Sequence, residues 1–276
     1  MAQASVTDWR WTYLRCFGLA VLLLLAAGLQ HLFQPVMPDW DVAADMLLVD
    51  QLREQGYQLT GHYSQYRFHH PGPFFVYLNW LAETLFLPFL PGRYHAWLLG
   101  SLLFNSACIA LTALLLAPAG SRRGALLIAG GLVLLGQNLA VGVWMPERLL
   151  FPYAALLACL VVVGQGRLRW LPAAVVLVSI CIHGYASMPL FTLPPLALAL
   201  WSGWRRGGFM GGGGGNAMIV AGVLAALFAS PLFIDALLGE PGNLQRALAA
   251  REVIAALPSA GWSAALEYVL AYWVFQ

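Results

Sequence analysis

The feature that most limits this chain is a succession of long apolar runs almost free of charge. A helix needs roughly 20 apolar residues to cross about 30 Å of hydrocarbon. Runs of that kind occupy 16–33, 95–117, 124–143, 149–164, 170–186, 188–201 and 218–238, and another begins near Ala264. They imply an all-α integral membrane protein, a polytopic helical bundle of about eight spans forming a single transmembrane domain over residues 1–276. Composition agrees. Of the 276 residues 61% are hydrophobic and 9% are charged, against roughly 25% charged in a soluble domain. All 14 basic residues are arginine, which with abundant Ala, Gly and Leu points to a GC-rich bacterial source. Cys16, Cys108, Cys159 and Cys181 fall inside apolar runs and read as small buried hydrophobes.

Two runs carry local detail. The first is followed by QPVMPDWD, without a small-x-small cleavage site, and reads as a retained anchor. Run 188–201 holds Pro189, Pro194 and Pro195; irregular backbone at membrane depth needs cover, so this helix is expected to face the protein interior. The last run stops inside AYWVFQ, as expected of a C-terminally truncated fragment.

Orientation turns on one more apolar run, 74–90. If it does not span, one side of the membrane holds Arg10, Arg15, Arg122, Arg123, Arg167, Arg169, Arg205 and Arg206 against one acid, Asp8. The other side then holds six arginines and eleven acids. The positive-inside rule favours that arrangement. It puts the N-terminus in the cytoplasm of a bacterial inner (plasma) membrane, and makes 35–94 the first extracytoplasmic loop, with 74–90 along the outer interface. Asn79 and Glu83, four apart, would face headgroups or a cavity. The glycine-rich stretch 205–216 reads as a flexible cytoplasmic linker, and 244–256 as a short amphipathic helix.

The first outer loop holds most of the polar chemistry. Val42, Met46, Leu47, Val49 and Leu52 make an apolar stripe, with Asp41, Asp45 and Arg53 off it and Gly56 ending the helix. Asp39 and Asp41 admit two readings. They cap a surface helix, or one of them is a general base at a cavity mouth that deprotonates an acceptor hydroxyl and helps hold a divalent metal ion. The stretch GHYSQYRFHHPGPFF follows. Pro71 and Pro73 fix a rigid start for the next helix, and Tyr63, Tyr66 and Phe68 suit interface anchoring. Arg67, His69 and His70 are left as groups able to bind a phosphate or sugar. Elsewhere Glu147 and Arg148 form a short outer turn, either a solvated rim pair or a cavity lining in which Arg148 grips a donor phosphate. His183 near the outer end of an apolar helix is either simply hydrogen-bonded or functional.

The order Asp, interfacial helix, Tyr-Ser-x-Tyr, His-Pro-Gly-Pro and aromatic helix resembles the GT-C superfamily of membrane glycosyltransferases, nearest its family 39 mannosyl- and aminoarabinosyltransferase branch. The similarity is densest over 39–77 and continues more weakly through MPERLLFPYAALL and the segment His183-Gly-Tyr-Ala. The resemblance implies a GT-C-like fold with an interfacial juxtamembrane helix region and transfer of a sugar from a polyprenyl-phosphate donor. The acceptor is a hydroxyl of a glycan, lipid or protein. Partners are thus membrane lipid and lipid-linked sugar, with no nucleic acid. It matches Asp41 or Asp39 to the catalytic acid, His69 and Pro71 to the His-Pro start of the juxtamembrane helix, and Glu147 with Arg148 to the cavity loop. Asp45, Tyr63, Arg67, His70 and His183 join them as substrate-binding candidates. One departure stands out: Gly72 replaces the second proline of His-Pro-Pro, which leaves the donor and acceptor classes open. The competing classes are a transporter or flippase of a lipid-linked or polar solute, which would carry charge at mid-bilayer, and a non-catalytic assembly subunit.

Overall fold

A helix satisfies its backbone N–H and C=O groups within itself, which is what lipid demands of an apolar chain. The computed structural model describes residues 6–38, 40–117, 121–140, 142–208, 212–256 and 261–274. Its helices are α1 (Val6–Gly28), α2 (Trp40–Gln55), α3 (Phe74–Phe86), α4 (Arg93–Leu116), α5 (Arg122–Ala140), α6 (Met145–Arg148), α7 (Leu150–Gly164), α8 (Leu171–Gly184), α9 (Met188–Arg205), α10 (Gly212–Leu238), α11 (Asn243–Ala255) and α12 (Trp262–Val274). The described residues include no strand beyond a single antiparallel bridge between Tyr63 and His69. α4 is the central helix and packs on α1, α3, α5 and α7; α7 and α8 extend the bundle to α9 and α10.

Among the described residues four helical stretches are long and apolar enough to cross a membrane: Trp9–Leu32, Arg93–Leu116, Met145–Gly164 and Gly214–Leu238. Leu22, Val223, Leu227, Phe233 and Leu237 on two of them are exposed, as suits a surface that meets lipid. Three more expected crossings correspond to α5, α8 and α9, and the last begins within α12. These are helices of 19, 14, 18 and 13 residues that fall short in length or apolarity over the described residues. α9 also corrects an expectation. It runs unbroken through Pro194 and Pro195 and turns only Thr192, Ala199 and Gly203 inward, leaving Leu190, Phe191 and Leu198 exposed. The expected linker is shorter too, because α10 begins at Gly212 within the glycine run.

The bundle has two distinct ends. α4 starts where α1 finishes, since the His95 Nε2–H donates to the Gln34 carbonyl at 2.8 Å. Everything between, including α2 and α3, therefore stays at that end. α3 spans 13 residues, about 20 Å at 1.5 Å per residue, too short to cross alone. Three further connections come to the same end. Trp144 Nε1 donates to Asp41 at 3.3 Å, the Ala186 N–H donates to His70 Nδ1 at 3.0 Å, and Asn243 bonds both the N–H and the C=O of His69 at 2.7 Å. At the other end Trp9 meets Trp170 edge-on at 6.4 Å, and Gly208 packs on Gly166. Arg10, Arg167, Arg169, Arg205 and Arg206 cluster in those segments, so charge is sorted along the bundle axis.

α2, α3 and α4 are bound together by a buried acid. Glu83 has a fully buried side chain and accepts from Arg93 Nε at 2.9 Å, Trp97 Nε1 at 2.7 Å and Arg53. Arg93 also reaches Asp50 at 2.9 Å and the Met46 carbonyl at 3.0 Å. Asn79 and Glu83 thus face protein, not headgroups. The inward stripe of α2 is likewise corrected: it is Val42, Asp45, Leu48, Val49 and Leu52, while Leu47 is exposed. Spacing alone prefers an apolar stripe; here a hydrogen-bond partner lets Asp45 take the buried position instead.

Candidate functional site

The site is assembled by the segment after α2. Gly56, at φ +77°, ends that helix. The chain then folds into a hairpin-like bend: Gly61 N–H bonds the His70 carbonyl at 2.9 Å, His70 N–H the His62 carbonyl at 2.8 Å, and Ser64 N–H the Phe68 carbonyl at 2.7 Å. Arg67 takes the left-handed position of the turn at φ +67° and is exposed. Its guanidinium has no hydrogen bond or ion pair among the described residues, and it stands at the tip of the bend, apart from the histidines.

Gly72 explains the departure from His-Pro-Pro. Its φ is +73°, and a Cβ placed there would lie 2.4 Å from the His183 ring. Proline fixes φ near −65°, so this position excludes it twice over. The close approach brings His183 against the start of α3, where its Nε2–H donates to the Phe228 carbonyl at 2.9 Å. His183 thus bridges α8 to α3 and α10, and its Nδ1 is buried without a hydrogen-bond partner among the described residues.

The bend brings together residues distant in sequence. His62 Nδ1–H points at both oxygens of Asp45, at 2.8 and 2.9 Å. The His70 ring stands edge-on to His62 at 5.6 Å and stacks on Tyr185 at 4.5 Å. His69 places Nδ1 on the Gly61 carbonyl at 2.9 Å, and Tyr63 lies edge-on to it at 5.2 Å. Burial lowers the His70 pKa to about 4, helped by neighbouring His62, and burial also lowers that of His69. Both imidazoles are neutral near pH 7 and largely committed to structural contacts.

Asp41 lies in the first turn of α2, exposed, and accepts from Trp144 Nε1. Trp144 in turn lines an apolar groove of about 300 Å³ with Pro146, Glu147, Leu149, Tyr153 and Phe191. Asp39 lies outside the described residues. The neighbours Glu147 and Arg148 part company on α6: Glu147 faces that groove, whereas Arg148 is 1% exposed and turns inward. Its guanidinium carbon sits 4.8 Å over the Phe75 ring. None of its three nitrogens has a hydrogen-bond partner among the described residues, and neither has His62 Nε2. Such burial is costly unless something answers it; a lost hydrogen bond to a buried group costs about 1–3 kcal/mol and more when charged.

The sequence reading named Asp45 and Arg148 but passed over His62. The usable signal was a histidine just past a helix bearing an acid on its inward face, visible only once that face is known. Cys16, Cys108, Cys159 and Cys181 are buried free thiols. Among the described residues no three His, Cys, Asp or Glu side chains gather as metal ligands. No family model matches the chain, and no curated protein or solved structure is significantly similar to it.

Proposed function

We propose that this chain transfers a sugar from a polyprenyl-phosphate donor to an acceptor hydroxyl, at the acid-rich end of a multi-pass bundle in a bacterial plasma membrane. The acid-rich end faces away from the cytoplasm and the arginine-rich end, with the N-terminus, lies within it. A lipid-phosphate donor suits that side because it brings an activated sugar where nucleotide sugars are absent.

Asp41 is the general base. As the acceptor oxygen bonds the anomeric carbon, its proton passes to Asp41. The C1–O bond to phosphate breaks and its electron pair leaves with the lipid phosphate. Arg148 meets the charge that develops there, an interaction strengthened where water is excluded. The groove beside Trp144 takes the start of the prenyl tail. The observation that carries this reading is Arg148, a buried guanidinium without a partner among the described residues, at the same end of the bundle as Asp41.

Asp41→Asn in the reconstituted chain is expected to abolish transfer from polyprenyl-phosphate sugars while leaving thermal unfolding unchanged, since Asp41 is exposed and among the described residues its side chain bonds Trp144 alone. Wild-type rates in that variant reject Asp41 as the base.

A further inference from the structure

At the acid-rich end, a buried carboxylate holds an imidazole whose second nitrogen is unsatisfied among the described residues. Asp45 is 8% exposed. Both its oxygens meet His62 Nδ1, at 2.8 and 2.9 Å. Beyond these contacts, His62 Nε2 and the Nε, Nη1 and Nη2 of Arg148 are buried and unpartnered among the described residues. Bare buried polar atoms add nothing to stability, because each costs its desolvation. These come from α6 and from the bend after α2, two separate segments at the same end of the bundle. A ligand with several acceptor oxygens would answer both.

The chemistry of sugar transfer from a lipid phosphate, on which this inference rests, supplies a reason for two such groups. The donor is a phosphodiester with one negative charge. When C1–O breaks, the departing lipid phosphate gains a second. A phosphate monoester holds that second charge with a pKa near ~6 in water, but out of water an added charge is expensive. Arg148 answers one charge only.

We propose that His62 answers the other: as the imidazolium paired with Asp45 it donates its Nε2 proton to the departing phosphate and is left neutral, with Asp45 the positioning residue that fixes the ring through Nδ1–H. The acceptor hydroxyl loses one proton to Asp41, and the phosphate gains one from His62. The electron pair of the broken C1–O bond stays on the phosphate oxygen, and nothing is oxidised or reduced. His62 and Asp41 then recover their starting states by exchange with water. A carboxylate that fixes an imidazole through one nitrogen while the other works on the substrate is a recurrent arrangement for proton transfer. The other titratable and charged groups around His62 do not compete: His70 is neutral, His69 is bound to Gly61, and Arg148 carries no transferable proton.

The test uses the full chain in liposomes and two donors. One is the natural polyprenyl-phosphate sugar; the other is its methylphosphonate analogue, whose leaving group departs with a single negative charge and needs no proton. His62→Gln, which can still donate to Asp45, is expected to lower kcat about a hundredfold or more on the phosphate donor. KM is expected to hold, and the loss to disappear largely on the methylphosphonate. Asp45→Asn is expected to show the same donor-selective loss, and it decides the matter if the glutamine variant does not fold. Equal losses on both donors, or no loss, overturn the role of His62 while leaving sugar transfer intact. A wild-type chain that transfers from no polyprenyl-phosphate sugar overturns both readings together.

Discussion

Single residues at the acid-rich end owe their importance to what packs on them. Gly72 is the clearest case. Its positive φ admits few side chains, and the His183 ring occupies the space a Cβ would need. Gly72→Ala is therefore expected to cost about 1–3 kcal/mol from the left-handed backbone alone, with a further loss from displacing His183. Chemical unfolding of the purified chain measures it, and a variant as stable as wild type would mean that His183 does not sit against the glycine. Asp45 shows the reverse situation. Its place in the sequence looks solvent-directed because an acid normally avoids a buried helix face, yet the imidazole of His62 makes burial tolerable. Arg148 differs again: its residue type announces charge, but only burial without a partner sets it apart from a rim ion pair.

Among the helices, the decisive unit is the group α2, α3 and the first turn of α4. Each is short or polar for its position, and none of the three amphipathic faces closes by itself. Glu83 links them by accepting from Arg53, Arg93 and Trp97. Removing one member of a buried charge pair typically costs about 3–5 kcal/mol. Glu83→Ala is expected near the lower end, about 3 kcal/mol, because Arg53 and Arg93 are part-exposed and can turn to solvent. The local effect is more telling than the global one. Hydrogen exchange over 40–55 and 74–86 should rise together, because both helices lose the same anchor. Exchange rising in α3 alone would show that the acid does not couple them. The same unit fixes where Asp41 and Asp45 stand relative to α6, so its integrity conditions any chemistry at this end.

Across the whole molecule, charge is sorted by the bundle axis, and the sorting can be checked with chemistry. The four native thiols are buried, so introduced cysteines label against a low background. Arg67→Cys and Arg206→Cys place exposed thiols at opposite ends. In intact cells an impermeant maleimide is expected to react with the first and not the second, and permeabilising the membrane should expose both. Labelling of both from outside, or of Arg206→Cys only, would sink the orientation proposed for this bundle. The arrangement also bears on the alternative of a solute carrier. Asp41, Asp45, Asp50, Glu54, Glu83 and Glu147 lie on α2, α3 and α6 at one end, which favours chemistry there over a carrier with charged groups at mid-depth.

How much of this was readable beforehand follows from the range of the forces involved. Apolar runs, the turn glycine Gly56, α11 and the sorting of arginine against acid are local or additive, and sequence alone determined them. For 74–90, counting arginines gave an expectation of the side, and the structure adds that α3 is a short helix packed on α4. Contacts between distant segments were another matter. That Asp45 rather than Leu47 turns inward and that Glu83 gathers two arginines each depend on a partner many residues away. His62 lay in plain view beside named candidates, but its meaning rests on a carboxylate 17 residues earlier. Hydrophobic periodicity states which face a helix prefers to bury. Only the assembled tertiary structure decides which polar groups can be buried with it, because that depends on whether a complementary atom arrives within hydrogen-bonding distance.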